Sequence, residues 1–265
     1  MQVRYRTIGL IAAAVLALVP ALASATPDPN SAVIQTRIFN DCPSSLLTFD
    51  NSYPSEIWIE DAQLNCFGFA NLHNWRFSED GSTPAVFNNN SNFQFGADLV
   101  ITGTTTAEAG LQVAPWWSQD VDGRLNVRIP DGEIAAFGGR LPFYSFSANH
   151  GIFYQAGETI HLEIIYLAND LTQENPATIE YKVTYQGMDY SSGVLPFDEG
   201  NPNEPYGLWG MLDDGRVGAH FQPQSQGGND DAQARAVWTN IYFENLDQEV
   251  PTLETSWGRM KQLFR

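Results

Sequence analysis

The chain is poor in residues that carry chemistry by themselves. It has two cysteines and four histidines in 265 residues, and 13 basic side chains against 31 acidic ones, a formal charge of −18. A field of that sign repels phosphate backbones, and no basic stripe with interleaved aromatics offsets it, which argues against nucleic acid as a partner. There is no Gly-x-Ser-x-Gly elbow, no His-Glu-x-x-His and no phosphate-binding loop. No sustained helical stripe, fixed-period repeat or low-complexity tract is present. Only one apolar run has any length, residues 8–19, and it is shorter than the about 20 residues a membrane-spanning helix needs.

That run has a different meaning. Arg4 and Arg6 precede it without an acid, and Pro20 and Ala21-Leu22-Ala23-Ser24-Ala25 follow it. A positive start, an apolar middle and an Ala-x-Ala ending describe a secretory signal peptide over residues 1–25, with cleavage expected after Ala25. The mature chain would carry no membrane span and would reside in the periplasm, at the cell surface or outside the cell. In such an oxidising compartment the even pair Cys42 and Cys66 is expected to form one bridge, stabilising the fold by roughly 3 kcal/mol. A redox or metal pair would need tighter spacing or clustered histidines, and only His73 lies nearby in sequence.

From residue 26 to 246 the dominant period is two. Ile179, Tyr181, Val183 and Tyr185 alternate with Thr178, Glu180, Lys182 and Thr184; Leu125, Val127 and Ile129 alternate with Arg124, Asn126 and Arg128. Ile160, Leu162, Ile164 and Tyr166 form a similar run. Near the end, Val237, Thr239, Ile241 and Phe243 oppose Trp238, Asn240, Tyr242 and Glu244. Successive side chains of a strand point to opposite faces, so these runs read as half-buried antiparallel strands. Glycine pairs and Asp-Gly turns such as Asp131-Gly132 and Asp214-Gly215 separate them. The expectation is one all-β domain, an antiparallel two-sheet sandwich.

The closing run, Ala236-Val237-Trp238-Thr239-Asn240-Ile241-Tyr242-Phe243-Glu244, resembles the last strand of the concanavalin A-like lectin/glucanase superfamily, with its aromatic-x-Asn-aliphatic-x-aromatic pattern. The resemblance implies a jelly roll of two stacked, curved sheets with a concave face where sugars bind. Residues 247–265 differ in character: an acidic linker, then Thr255-Ser256-Trp257-Gly258-Arg259-Met260-Lys261-Gln262-Leu263-Phe264-Arg265. That ending resembles a Ser/Thr-Trp-Gly-x-x-Lys-x-Leu-aromatic-Arg tail of exported bacterial proteins, which implies engagement with sorting or attachment machinery. The competing reading is a short terminal helix with Trp257, Met260, Leu263 and Phe264 on one face.

Catalytic candidates are sparse. The Glu-x-Asp-x-x-Glu strand of retaining glucanases on this fold is absent; Glu133 and Glu163 lack partner acids within their strands. Alginate-lyase jelly rolls use three motifs whose order this chain matches loosely: Arg124-Leu125-Asn126-Val127-Arg128, then Thr159-Ile160-His161, then Tyr181-Lys182-Val183-Thr184-Tyr185-Gln186. The match would make Arg128 the neutraliser of a uronate, His161 a base and Tyr185 an acid. Asn126 stands where that family has glutamate, Thr159 where it has glutamine, and the third motif has lost its glycine. The four histidines, His73, His150, His161 and His220, share no metal-ligand spacing. Asp120 and Asp122 are candidates for a structural calcium, as are Asp213-Asp214 and Asn229-Asp230-Asp231, although such residues also serve plain turns. No other cofactor is called for.

Aromatic and planar polar groups give the clearest functional lead. Trp116 and Trp117 are adjacent, so in a strand one indole faces away from the core. Trp238, Asn240 and Tyr242 are expected to share a face opposite the apolar one, as are Arg124, Asn126 and Arg128. Flat rings meet the C–H faces of sugars, and amide or guanidinium groups bond their hydroxyls. The expected function is therefore a secreted carbohydrate-binding sandwich without a catalytic motif. A polysaccharide-cleaving enzyme on the same fold and a structural cell-surface protein are the alternatives.

Overall fold

The computed structural model describes residues 25–113, 123–197 and 209–247. The leader, Trp116, Trp117, Asp120, Asp122 and the C-terminal tail lie outside the described residues. Among the described residues no helix is long and apolar enough to cross a membrane.

The strands are β1 (Ser31–Asn40), β2 (Leu46–Ser52), β3 (Glu56–Ala62), β4 (Asn71–Ser78) and β5 (Phe93–Gly103). They continue with β6 (Ala107–Val113), β7 (Arg124–Ile129), β8 (Ile134–Phe137), β9 (Tyr144–Ser145) and β10 (Ile160–Leu167). The last are β11 (Thr178–Tyr185), β12 (Met188–Ser191), β13 (Leu195–Pro196), β14 (Val217–Pro223) and β15 (Gln233–Asn245). One five-residue helix, α1 (Phe146–His150), starts at an Ser145 hydroxyl cap and ends at Gly151. All pairings are antiparallel, in two sheets of order β1-β4-β14-β6-β7-β8-β9 and β12-β11-β10-β5-β15-β3-β2, with β13 beside β11. This is the expected jelly-roll sandwich. Burial alternates residue by residue in β3, β10 and β11, as period two demands.

Between the sheets lies one apolar core, rich in rings. Phe93 stacks on Tyr166 and Phe243, while Phe77 meets Trp75, Phe95 and Phe243 edge to face. Trp238 belongs to this core. It is fully buried, with its ring centroid 6.2 Å from that of Trp75 at 82°. Uninterrupted alternation predicts the polar face for Trp238, and a bulge explains the difference. The β15 register shifts between Thr239 and Tyr242, and Asn240 takes φ 51° there. Before the bulge Ala234, Ala236 and Trp238 point inward; after it Ile241 and Phe243 do. One inserted residue exchanges the two faces of a strand.

The two ends of the sandwich are tied differently. At one end Cys42 and Cys66 form the expected bridge, with Cα atoms 5.3 Å apart. Beside it, buried Asp61 of β3 accepts hydrogen bonds from Asn71 Nδ2 (2.7 Å) and His73 Nε2 (3.1 Å). The Arg37 amide donates to His73 Nδ1 (3.1 Å), which puts the imidazole proton on Nε2, facing Asp61. At the other end the termini of the domain meet. The Thr26 hydroxyl and Asn92 Nδ2 both donate to Asp247, and Asn245 Nδ2 donates to Thr26 O (2.9 Å).

Candidate functional site: a polar face on the seven-stranded sheet

The strands β4, β14, β6 and β7 send Trp75, Phe77, Ala219, Phe221, Ala109, Leu111, Leu125 and Val127 into the core. Their alternate residues must then form the opposite face of the sheet. Strand register arranges those residues in three rows. Arg76, Gly218, Gln112 and Arg124 make the first; Asn74, His220, Gly110 and Asn126 the second; Gln222, Glu108 and Arg128 the third.

The two glycines open the rows. A Cβ on Gly110 would lie 2.0 Å from Leu125 O, and one on Gly218 would lie 2.2 Å from Trp75 O, so no larger residue fits either position. Neighbouring strands are about 4.8 Å apart, so His220 and Asn126 sit two strands, or about 10 Å, from each other. Because Gly110 between them has no side chain, His220 Nε2 reaches Asn126 Oδ1 at 2.8 Å. Arg124 crosses the same gap, with both terminal nitrogens donating to Gln222 Oε1 at 3.1 Å. Glu108 Oε2 accepts from Asn126 Nδ2 (3.3 Å) and Arg124 (3.5 Å). Asn74, with its amide turned to donate to His73 O, accepts from Arg76 Nη2 at 2.7 Å.

Asn74, Arg76, Gln112 and His220 are fully buried, and Asn126, Arg124 and Gln222 nearly so. Burial together with the charges of Arg124 and Arg76 holds the His220 imidazole well below its ordinary pKa, so it is neutral. Asn126 Nδ2 donates to Glu108, so its oxygen faces His220, and the imidazole proton sits on Nε2. The Leu111 backbone lies against the ring, and no side chain among the described residues bonds His220 Nδ1. Gln112 Nε2 and Gln35 Oε1, on the neighbouring strands, are likewise unpartnered there. Burial raises the Glu108 carboxyl despite the nearby Arg124 and Arg128. Arg128, one-third exposed, marks where the third row reaches solvent, and it is held by Asp131 and Glu133.

The expected site residues are divided by this architecture. Arg124 and Asn126 lie in the rows, with Arg128 at their margin. Asn240, Tyr242 and His161 lie together on the outer face of the eight-stranded sheet. There Asp98 binds His161 Nδ1 (2.7 Å) and Asn240 Nδ2 (2.7 Å), Tyr242 stacks on His161 and bonds Glu163, and Lys182 pairs with Glu163 at 2.9 Å. Tyr185 belongs to the core, its hydroxyl bonded to Glu158 and to the Gln155 amide. The lyase-like trio Arg128, His161 and Tyr185 is thus not assembled: the first is on one sheet, the second on the far side of the other, and the third between them. Asp213, Asp214 and Asp230 bond the Asn89 amide, Arg216 and Asn65 respectively. Among the described residues no three His, Cys, Asp or Glu side chains are placed to hold a metal.

Sequence reading missed Asn74, Arg76, Glu108, Gln112, His220 and Gln222. The signal for two of them was Val217-x-Ala219-x-Phe221, an apolar alternation that leaves His220 and Gln222 on the other face. Trp75-x-Phe77 does the same for Asn74 and Arg76.

No protein-family model matches the chain, and no curated protein matches it. Among solved structures it is similar to the alginate lyase from Klebsiella pneumoniae, at 13% identity and a TM-score of 0.44 over 76% of this chain and 85% of that one. It is similar to the carbohydrate recognition domain of Emp47p at 10% identity and a TM-score of 0.40, over 82% and 89% of the two chains. A family 7 alginate lyase in complex with substrate matches at 10% identity and a TM-score of 0.43, over 76% and 82%. These likenesses concern architecture alone.

Proposed function

We propose that the protein binds carbohydrate at the solvent-reaching margin of the polar face of the seven-stranded sheet, at Arg128, with Arg124, Asn126 and Gln222 lying behind it. The observation that supports this reading is the run of hydrogen-bonding side chains, Gln222, Arg124, Glu108 and Asn126, that leads from the interior of this face out to partly exposed Arg128. Sugar hydroxyls both donate and accept, so a glycan satisfies lone pairs and N–H groups within one surface.

The test is affinity electrophoresis in gels cast with sodium alginate, pectin or barley β-glucan. Arg124→Ala is expected to weaken retention about 10- to 100-fold, the loss of a charge-assisted hydrogen bond. His220→Gln, closer in shape, is expected to weaken it by a smaller factor while the thermal midpoint stays near that of the parent. Parent protein that migrates freely through every gel, or variants retained as well as the parent, would sink the proposal.

A further inference from the structure

The expected cleavage point of the leader coincides with a change in burial. Ala25 is exposed, whereas Thr26 directly after it is only 4% exposed. The first residues of a domain are ordinarily loose unless something ties them down. Thr26 is tied. Its hydroxyl donates to Asp247 Oδ2 and accepts from the Asn92 amide (3.1 Å), and its carbonyl accepts from Asn245 Nδ2 (2.9 Å). Asn92 is the hub of this corner. Its Nδ2 donates to Asp247 Oδ1, its Oδ1 accepts from the Ala168 amide (2.7 Å), and its carbonyl accepts from the Leu246 amide (3.0 Å). One residue thus joins the start of the domain to the exits of β10 and β15.

Positive charge is what this corner lacks. Among the described residues the Asp247 carboxylate is held by neutral donors and enters no ion pair. Ala25 and Thr26 line an open cleft with Glu79 and Asp80, and Glu79 Oε1 accepts from the Asp28 amide (3.1 Å). Cleavage between Ala25 and Thr26 supplies the missing charge. Water adds across the peptide bond, its hydroxyl going to the Ala25 carbonyl carbon and its hydrogen to the Thr26 nitrogen. The new carboxylic acid gives up its proton and departs with the leader as a carboxylate. The Thr26 amine takes up a proton and becomes an ammonium, its usual form below a pKa of about 7.7–8.0. Within one threonine the nitrogen and the hydroxyl oxygen are at most about 4 Å apart. Because that hydroxyl is bonded to Asp247, the ammonium stands within about 6 Å of the carboxylate, where opposite charges attract appreciably.

We infer that the α-ammonium created at Thr26 by removal of the leader is received by Asp247, a clasp between the two ends of the sandwich that makes the processed chain more stable than its precursor. The first measurement is the amino-terminal sequence of protein exported by a bacterial host, which is expected to begin Thr26-Pro27-Asp28. The second compares thermal midpoints of a form starting at Thr26 and a form retaining Ala23-Ser24-Ala25, each with Asp247 and with Asp247→Asn. The retained residues carry the ammonium about 10 Å away, at the edge of screening in dilute buffer. The form starting at Thr26 is expected to melt about 2–4 °C higher, the scale of one ion pair in a domain of this size. That gap is expected to vanish in Asp247→Asn. It is also expected to shrink in about 1 M salt, which tests the same attraction in a chain without substitutions. Equal midpoints for the two forms overturn the inference. So does a gap that persists in Asp247→Asn or in high salt, and so does exported protein that begins at any other residue.

Discussion

Trp238→Ala is expected to cost about 3–5 kcal/mol of stability, the range for truncating a large buried aromatic. The indole is fully buried, packs edge to face on Trp75, and lies where β15 crosses the middle of its sheet between β3 and β5. Such a loss is a large part of the 5–15 kcal/mol that typically holds a domain together. The urea midpoint should therefore fall sharply, and any lost glycan binding should track the unfolded fraction. Trp238→Phe is expected to be milder, because the Trp238 indole nitrogen lacks a hydrogen-bond partner among the described residues and phenylalanine keeps most of the packing. An alanine variant that melts like the parent but no longer binds glycan would restore Trp238 to the binding surface.

Acid is expected to destabilise the protein in two separable stages. His220 is held below its ordinary pKa by burial and by Arg124 and Arg76. A base depressed in this way contributes stability that is complete above the unfolded value of about 6.5 and is lost as pH falls from there toward its folded value. Asp61 behaves likewise at lower pH. Burial alone would raise its carboxyl, but hydrogen bonds from His73, Asn71 and Ser45 outweigh burial and hold it below its ordinary value. Its contribution is complete above about 3.9 and disappears as pH falls through the lowered value. Urea midpoints across pH should show both stages. His220→Gln should flatten the upper one, and Asp61→Asn should flatten the lower. Asp61→Ala would leave His73 Nε2–H unpaired at about 1–3 kcal/mol, while Asn71 Nδ2 keeps Cys42 O and Ser45 Oγ, so stability falls at neutral pH as well. Parallel curves for parent and variants would contradict the assignment.

How far the site could be read in advance depended on the strand. Arg124 and Asn126 were visible because β7 alternates without interruption, so a period of two assigns their face correctly. Trp238 was misplaced because the same rule was carried through a bulge, and the Asn240 backbone angle that flips the strand has no mark in the residue order. His161 and Tyr185 looked like partners of Arg128 through motif order alone, and order along the chain says nothing about which sheet a strand joins. Spacing along the chain does not distinguish His220 from the other three histidines. Its significance comes from Asn126, 94 residues earlier, and Arg124 meets Gln222 across 98.

Residue order alone was enough for the all-β class, the antiparallel sandwich, the Cys42–Cys66 bridge and the strongly acidic character, since each follows from local alternation, parity or composition. The tertiary structure was needed to align Arg76 with Arg124 and to seat His220 against Asn126 over Gly110. Alternation is a property of one strand, whereas a row of side chains exists only once register has paired strands from distant parts of the chain.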